Sequence, residues 1–210
     1  MTAKFQAQVS AAHLCAMALL ASTQDVRYYL NGVLVEASPE VVLVATDGNA
    51  LGMLDTGQMA SGLFKVLVPH PVIKEFAKSR GVLTLTSEDG KAWTASADGK
   101  VITWTYDGAQ YPDARRALPR SSTGEIAQFD VRLIGRFYQV HLALGGSKKE
   151  LAAVLVAPSG HSATALVHLP GFPEFVGGMV PLRAPPAVVK VRDSLPDWVH
   201  RTHIETCDLA

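Results

Sequence analysis

Apolar and polar residues along this chain fall three times into the same order: a short alternating run, an amphipathic helix, then three further strand-like runs. The first series predicts a strand at residues 5–9 and a helix over 10–22, with Leu14, Met17, Ala18 and Ala21 at helical spacing. Its remaining strands fall at 26–36, 41–47 and 51–55. The second series predicts a strand at 64–68, a helix over 69–80 that tolerates Pro69 or Pro71 in its first turn, and strands at 82–87, 92–97 and 101–106. The third predicts a strand at 126–129, a helix over 130–144 with Asp130 as N-cap, and strands at 151–157, 163–169 and 176–182. Asp47-Gly48, Asp89-Gly90, Asp98-Gly99 and Ser159-Gly160 supply the turns between strands. The period of about 60 residues points to internal duplication.

One helix on three strands leaves an apolar face bare, so two units should pair into a domain with the helices on one face of antiparallel sheets. Units one and two form that pair, over residues 4–120. Unit three, residues 125–183, has no mate within the 210 residues. Between them Leu118-Pro119-Arg120-Ser121-Ser122-Thr123-Gly124 has the polar, proline-bearing character of a domain boundary. Residues 184–210 begin with Ala184-Pro185-Pro186 and fit none of the three repeats. The expected class is therefore α+β, built from repeated strand-helix-three-strand units.

Composition narrows the function. Nineteen basic and nineteen acidic residues cancel, which excludes a broadly basic nucleic-acid coat while leaving room for cations gathered on one face. Hydrophobic residues make up 48% and charged residues 18%, as in a folded globular chain rather than a charged tail. Cys15 and Cys207 are the two cysteines, too few for a disulfide framework and in keeping with a reducing cytoplasm. The apolar run 14–21 is too short to span a bilayer, and its flanks suit an amphipathic helix better than a signal peptide.

Candidate chemistry is sparse. No phosphate loop, dinucleotide glycine pattern or nucleophile elbow is present, and Gly145-Gly146 and Gly177-Gly178 read as turns or strand kinks. His200, His203 and Cys207 lack a fourth ligand at zinc spacing, so no metal or cofactor is expected. Asp47, Asp55, Asp107 and Asp113 sit beside turns and read as structural acids. Charge placement says more. Lys74 and Lys78 share a face of the second predicted helix, with Arg80 near its end. Arg132 and Arg136 repeat that spacing on the third, and Lys148 and Lys149 follow. The opposite stripes, Val72, Ile73 and Phe76 in one and Leu133, Ile134 and Phe137 in the other, are apolar. Such cations read either as an ordinary solvated face or as a lining for phosphates, with salt-dependent binding and no sequence preference.

Two longer stretches carry a resemblance. The run Asp25-Val26-Arg27-Tyr28-Tyr29-Leu30-Asn31-Gly32-Val33-Leu34, followed by Val44-Ala45-Thr46-Asp47-Gly48-Asn49-Ala50-Leu51, resembles the middle domain of the bacterial DNA polymerase III beta subunit, the sliding clamp. Tyr111-Pro112-Asp113-Ala114-Arg115-Arg116-Ala117-Leu118-Pro119 resembles the motif that ends that domain. Phe129-Asp130-Val131 and Met179-Val180-Pro181-Leu182-Arg183 resemble the second half of the family's last domain. Three positions depart from the pattern: Asn49 and Ala50, where the family usually carries histidine and arginine, and Ala117, where it has a larger aliphatic.

The resemblance implies a DNA-clamp fold in a shortened form, with a complete domain at 4–120, a half domain at 125–183 and an extension at 184–210. It implies a non-enzymatic, cytoplasmic processivity or tethering factor of DNA replication or repair. The odd third unit, whose apolar face either the residues after 183 or the third unit of another copy about a two-fold axis could cover, leads separately to the expectation of a homo-oligomer. Duplex DNA would be contacted through Lys74, Lys78, Arg80, Arg132, Arg136, Lys148 and Lys149. A polymerase or other partner would insert a short peptide into a cleft formed by Arg27, Leu30, Thr46, Gly48, Leu51, Pro112, Arg116, Met179, Val180, Pro181, Leu182 and Arg183. The alternative is an adaptor or competitor that keeps the cleft without encircling DNA.

Overall fold

The computed structural model describes residues 4–149 and 153–183 of the chain. Unit one comprises β1 (Phe5–Ser10), α1 (Ala11–Ala18), β2 (Gly32–Ala37), β3 (Glu40–Thr46) and β4 (Ala50–Met59). Unit two comprises β5 (Phe64–Pro69), α2 (His70–Glu75), β6 (Val82–Ser87), β7 (Ala92–Ala97) and β8 (Lys100–Thr105). A short helix, α3 (Ala114–Ala117), precedes unit three, which contributes α4 (Val131–Ala143), β9 (Leu155–Ala157), β10 (Ala165–His168) and β11 (Phe175–Met179).

The first two units interlock by exchanging their leading strands. β1 adds to unit two's sheet, in the order β1-β6-β7-β8, while β5 adds to unit one's sheet beside β2. Alternation explains why each edge is filled. Ala7 and Val9 of β1 are buried while Gln8 is exposed, and Val66 and Val68 of β5 meet Val35 and Val33 of β2, all four fully buried. Unit three extends the same architecture sideways. β11 pairs antiparallel with β4, so one seven-stranded sheet runs β5-β2-β3-β4-β11-β10-β9. α1 lies over this sheet with α2 on one side and α4 on the other.

The seam between β4 and β11 is built on glycine. Gly52 and Gly177 stand directly opposite each other. A Cβ on Gly52 would fall 2.5 Å from Leu20 Cδ1, and one on Gly177 would fall 2.7 Å from Phe137 Cε1. The absent side chains let Phe137 of α4 and Phe175 of β11 pack edge to face, with ring centroids 6.2 Å apart, and both rings are buried.

Several expectations are corrected. The strand expected at 26–36 begins only at Gly32. Asn31 grips residue 25 at both ends of its amide, donating to the Asp25 carbonyl at 2.9 Å and accepting from the Asp25 N–H at 2.9 Å, and this closes 25–31 into a loop around a 3-10 turn at Tyr28–Leu30. α1 ends at Ala18 rather than residue 22, because Leu19, Leu20 and Ala21 bond to carbonyls three residues back. α2 likewise stops at Glu75, so Lys78 lies in the turn beyond it and Arg80 in the irregular segment after that, rather than on a helical face shared with Lys74. Residues 126–129 form no strand. β11 ends at Met179, three residues before its expected end, where Val180 bonds to the Asn49 carbonyl and Pro181 has no N–H to give a ladder. Residues 151–152 and 184–210, including His200, His203 and Cys207, lie outside the described residues. Among the described residues no group of ligating side chains could hold a metal ion, and no helix is long and apolar enough to cross a membrane.

Candidate peptide cleft and helix face

On the side of the seam away from the helices, three elements close around an apolar cleft of about 260 Å³. Its floor is Leu30 and Leu51, both buried. One wall is the turn after β3. Thr46 Oγ1 donates to the Ala50 carbonyl at 2.7 Å and accepts from Gly48 N–H at 3.0 Å, while Asp47 Oδ1 accepts from the amides of Asn49 and Ala50 at 2.7 and 2.8 Å. Gly48 takes a φ of 93°, a conformation glycine adopts without strain, and its Cα faces the guanidinium of Arg27. The second wall is the α3 segment, with Pro112, Ala114 and Ala117, started by Asp113, whose side chain caps the helix by accepting from Arg115 N–H. The third comes from unit three: Gly178 lies opposite Leu51 across the seam, with Thr164 and Val180 beside it.

Arg27 is the cation at the rim. Asp25 holds it through Nη2–Oδ2 at 2.6 Å and Nε–Oδ1 at 3.0 Å, and this hydrogen bonding lowers the Asp25 carboxyl to about 2. Of the residues expected at the cleft, Arg27, Leu30, Thr46, Gly48, Leu51, Pro112 and Val180 lie on its walls. Met179 faces the core instead, fully buried. Arg116, Pro181, Leu182 and Arg183 are not on the walls either; Leu182 and Arg183 are exposed beyond it. Arg115 turns the other way to Glu36, whose carboxyl burial would raise but which Lys65 and Arg115 together hold below its usual value. Sequence reasoning missed Asn49, Ala50, Asp113, Ala114, Ala117, Thr164 and Gly178 as lining. Three of them, Asn49, Ala50 and Ala117, are the positions that depart from the clamp pattern, which was a usable signal. Thr164 and Gly178 come from a strand pairing that no local pattern announces.

The opposite face carries the expected cations, unevenly. Lys74, Lys78, Arg80, Lys148 and Lys149 are exposed, and none forms an ion pair among the described residues. Arg132 is exposed but folds onto the N-cap carboxylate of Asp130, with Nε 2.9 Å from Oδ2. Arg136 is only partly exposed. Its Nε donates to the Leu19 carbonyl at 3.0 Å and its Nη1 pairs with Asp47 Oδ2, so it fastens α4 to the end of α1 and to the cleft's turn. Burial works against ionisation of Asp47, but the Ala50 amide, Arg136 and the Asn49 amide outweigh it and hold the carboxyl below its ordinary value. Between these flanks α1 (AAHLCAMA) contributes no lysine or arginine.

Three helices in a row over a sheet that passes from one repeat into the next define the class: this is a DNA polymerase sliding-clamp fold. The crystal structure of the Pseudomonas aeruginosa sliding clamp with ligand superposes with a TM-score of 0.66 at 19% identity, over 88% of this chain and 67% of that one. The same organism's clamp bound to griselimycin gives 0.64 at 19% identity, again over 88% and 67%. In sequence the chain is 37% identical to the beta sliding clamp of P. aeruginosa over 109 residues, 46% of this chain and 28% of that protein. It is 35% identical to the Proteus mirabilis beta sliding clamp over 108 residues, 48% and 29%. No protein-family model matches the chain. In fold, and over about half of its sequence, the chain is similar to the bacterial beta sliding clamps, and it spans less than a third of the length of the curated relatives it matches.

Proposed function

We propose that this chain is a non-enzymatic, clamp-like tether of DNA replication or repair, acting in the cytoplasm, that holds partner proteins by a short apolar peptide in the cleft over the β4–β11 seam. The observation that supports it is the cleft itself: apolar floor and walls, a glycine-formed rim and one pre-oriented arginine, drawn from three elements. Leucine and proline surfaces take a peptide's apolar anchors, and Arg27 takes a carbonyl or carboxylate. Asn49, Ala50 and Ala117 widen the walls relative to the family pattern, so the preferred peptide differs from that of a full-length clamp. The test is binding of a fluorescent clamp-binding peptide, with griselimycin as a second probe because the P. aeruginosa clamp binds it. Val180→Asp places a carboxylate at a wall position that the fold leaves 39% exposed. It should weaken peptide binding at least about tenfold, since burying an unpaired charge under a ligand costs more than about 1.4 kcal/mol. Unchanged affinity in that variant would remove the cleft from the mechanism.

Duplex DNA would be met without sequence preference through Lys74, Lys78, Arg80, Lys148 and Lys149, with Arg132 adding to them once released from Asp130. A second reading, an adaptor that occupies clamp-binding peptides without enclosing DNA, is favoured by the helix layer. Its central helix carries no cation, Arg136 is committed to Asp47, and the hollow beside α1 includes the carboxylates of Asp25 and Asp47. Titrating duplex at low and moderate salt separates the two. Under the tether reading, reversing Lys74, Lys78 and Arg80 to glutamate lowers affinity and flattens its salt dependence. An unaltered chain that fails to bind duplex at low salt leaves the adaptor.

A further inference from the structure

Units one and two display how a unit of this kind is completed: the leading strand of each leaves its own sheet and pairs with the first sheet strand of the other. Unit three has both halves of that joint. Residues 126–129 stand where β1 stands in unit one, just ahead of a helix, and they approach the segment after their own unit's last strand in a similar way. Gln6 exchanges two backbone bonds with Ser61, beyond β4; the Gln128 carbonyl accepts from Leu182 N–H at 2.8 Å, beyond β11. β1 lies in register with β6 along its whole length, and because Gln6 turns its backbone groups to Ser61, alternation turns those of Phe5, Ala7 and Val9 toward β6. Extended in the same way, residues 126–129 turn the backbone groups of Ala127 and Phe129 away from Leu182, and no backbone bond meets those amides among the described residues. The other half is β9. Its counterpart β2 is covered by β5, whereas β9 pairs with β10 alone and its second edge has no strand among the described residues.

Burial tells the same story. At the completed joint Val33, Val35, Val66 and Val68 are all 0% exposed. At the incomplete one Ile126 is 59%, Val131 75% and Leu155 56% exposed. A leading segment that is apolar at Ile126, Ala127 and Phe129, and an uncovered strand edge of the kind that accepts such a segment, lie in one unit, where they do not pair with each other.

We propose that a second copy of this chain is the occupant: residues 126–129 of each copy add to the β9 edge of the other about a two-fold axis, making a composite domain from two third units. The join is isologous, so it closes on itself at two chains. It repeats between chains the exchange that β1 and β5 make within one. The inference stands apart from peptide or DNA binding, because its evidence is strand pairing alone.

The test is the solution mass of the full chain across a concentration series, beside Ala127→Pro. That substitution removes one outward-facing N–H and no backbone bond described in the single chain. The expected result is a species of twice the 22.4 kDa chain mass, with a dissociation constant raised at least tenfold by Ala127→Pro at unchanged far-UV circular dichroism. Hydrogen exchange on the unaltered chain decides the matter if the variant fails to fold. Protection at 126–129 and 155–157 that rises with concentration supports the exchange. A monomer at every concentration overturns it, including one whose 126–129 amides are protected, since residues of the same chain then cover the edge. A dimer indifferent to Ala127→Pro, or protection independent of concentration, overturns it as well.

Discussion

Gly177 and Gly178 are neighbours on β11 that face opposite sides of the sheet, so adding one methyl group to each should have unlike consequences. Neither has a positive φ, and alanine meets no backbone barrier at either. A Cβ at Gly177 would stand 2.7 Å from Phe137 Cε1, 3.1 Å from Val167 Cβ and 3.2 Å from Phe175 Cε1. These are buried rings and a strand side chain with nowhere to retreat. Overpacking of this sort costs about 1–3 kcal/mol, and the stiffer unfolded chain returns about 0.4–1 kcal/mol. Gly177→Ala should therefore lose about 1–2 kcal/mol, or roughly 2–8 °C in Tm for a chain of this size. At Gly178 the nearest atoms are Leu118 Cδ2 at 2.8 Å and Thr164 Cγ2 at 3.0 Å, the ends of half-buried side chains at the cleft. They can swing aside into the cleft, so Gly178→Ala should hold its Tm within about 2 °C while weakening peptide binding. Differential scanning calorimetry and a peptide titration on both variants check the pair. Equal stability losses, or a Gly178→Ala protein that binds peptide unchanged, would refute the two-sided account of the seam.

Two further outcomes follow from the same region. Asp47→Asn should cost about 1–2 kcal/mol at neutral pH, because Arg136 loses a charged acceptor. As the folded Asp47 carboxyl lies below its unfolded value of 3.8, that contribution is complete above 3.8 and is lost as pH falls through the folded value. Urea denaturation should then show the gap between wild type and variant closing as the pH drops below about 4; a gap that persists undiminished would refute the ion-pair assignment. Phe137→Ala removes a ring that is 0% exposed and should cost about 3–5 kcal/mol by chemical denaturation, and a loss below about 1 kcal/mol would mean α4 is not anchored through this residue.

The strands of units one and two were legible because their cause is local. Alternation such as Val66-Leu67-Val68, and the Asp98-Gly99 turn, whose φ values of 51° and 74° are both positive, lie within a few residues of one another. The loop at 25–31 was not legible as a loop, because Val26, Tyr28 and Tyr29 have strand character and the side chain of Asn31 overrides it. Helix ends were overrun for a similar reason: nothing in Leu19-Leu20-Ala21 forbids another turn. The cleft was legible where the clamp motifs ran, at Arg27, Leu30, Thr46, Gly48, Leu51 and Pro112. Its third wall was not, since Gly178 reaches Leu51 through a pairing between distant strands. Arg136 shows the same limit. Its spacing from Arg132 suggested a shared exposed face, while its partner Asp47 sits 89 positions earlier in the chain.

The exchange of leading strands between units one and two also sets an order of events at the ribosome. β1 is synthesised long before its partner: its ladder runs from Phe5↔Ser87 to Ser10↔Val82, so it has no resting place until β6 has emerged. Unit one cannot mature alone in the meantime, because the edge of β2 awaits β5. The nascent chain must therefore carry an unsatisfied apolar strand through the translation of most of two units, and then close both sheets nearly together. Slowing translation between residues 37 and 82 would lengthen that exposure, and holdase chaperones would find this protein most readily in that interval.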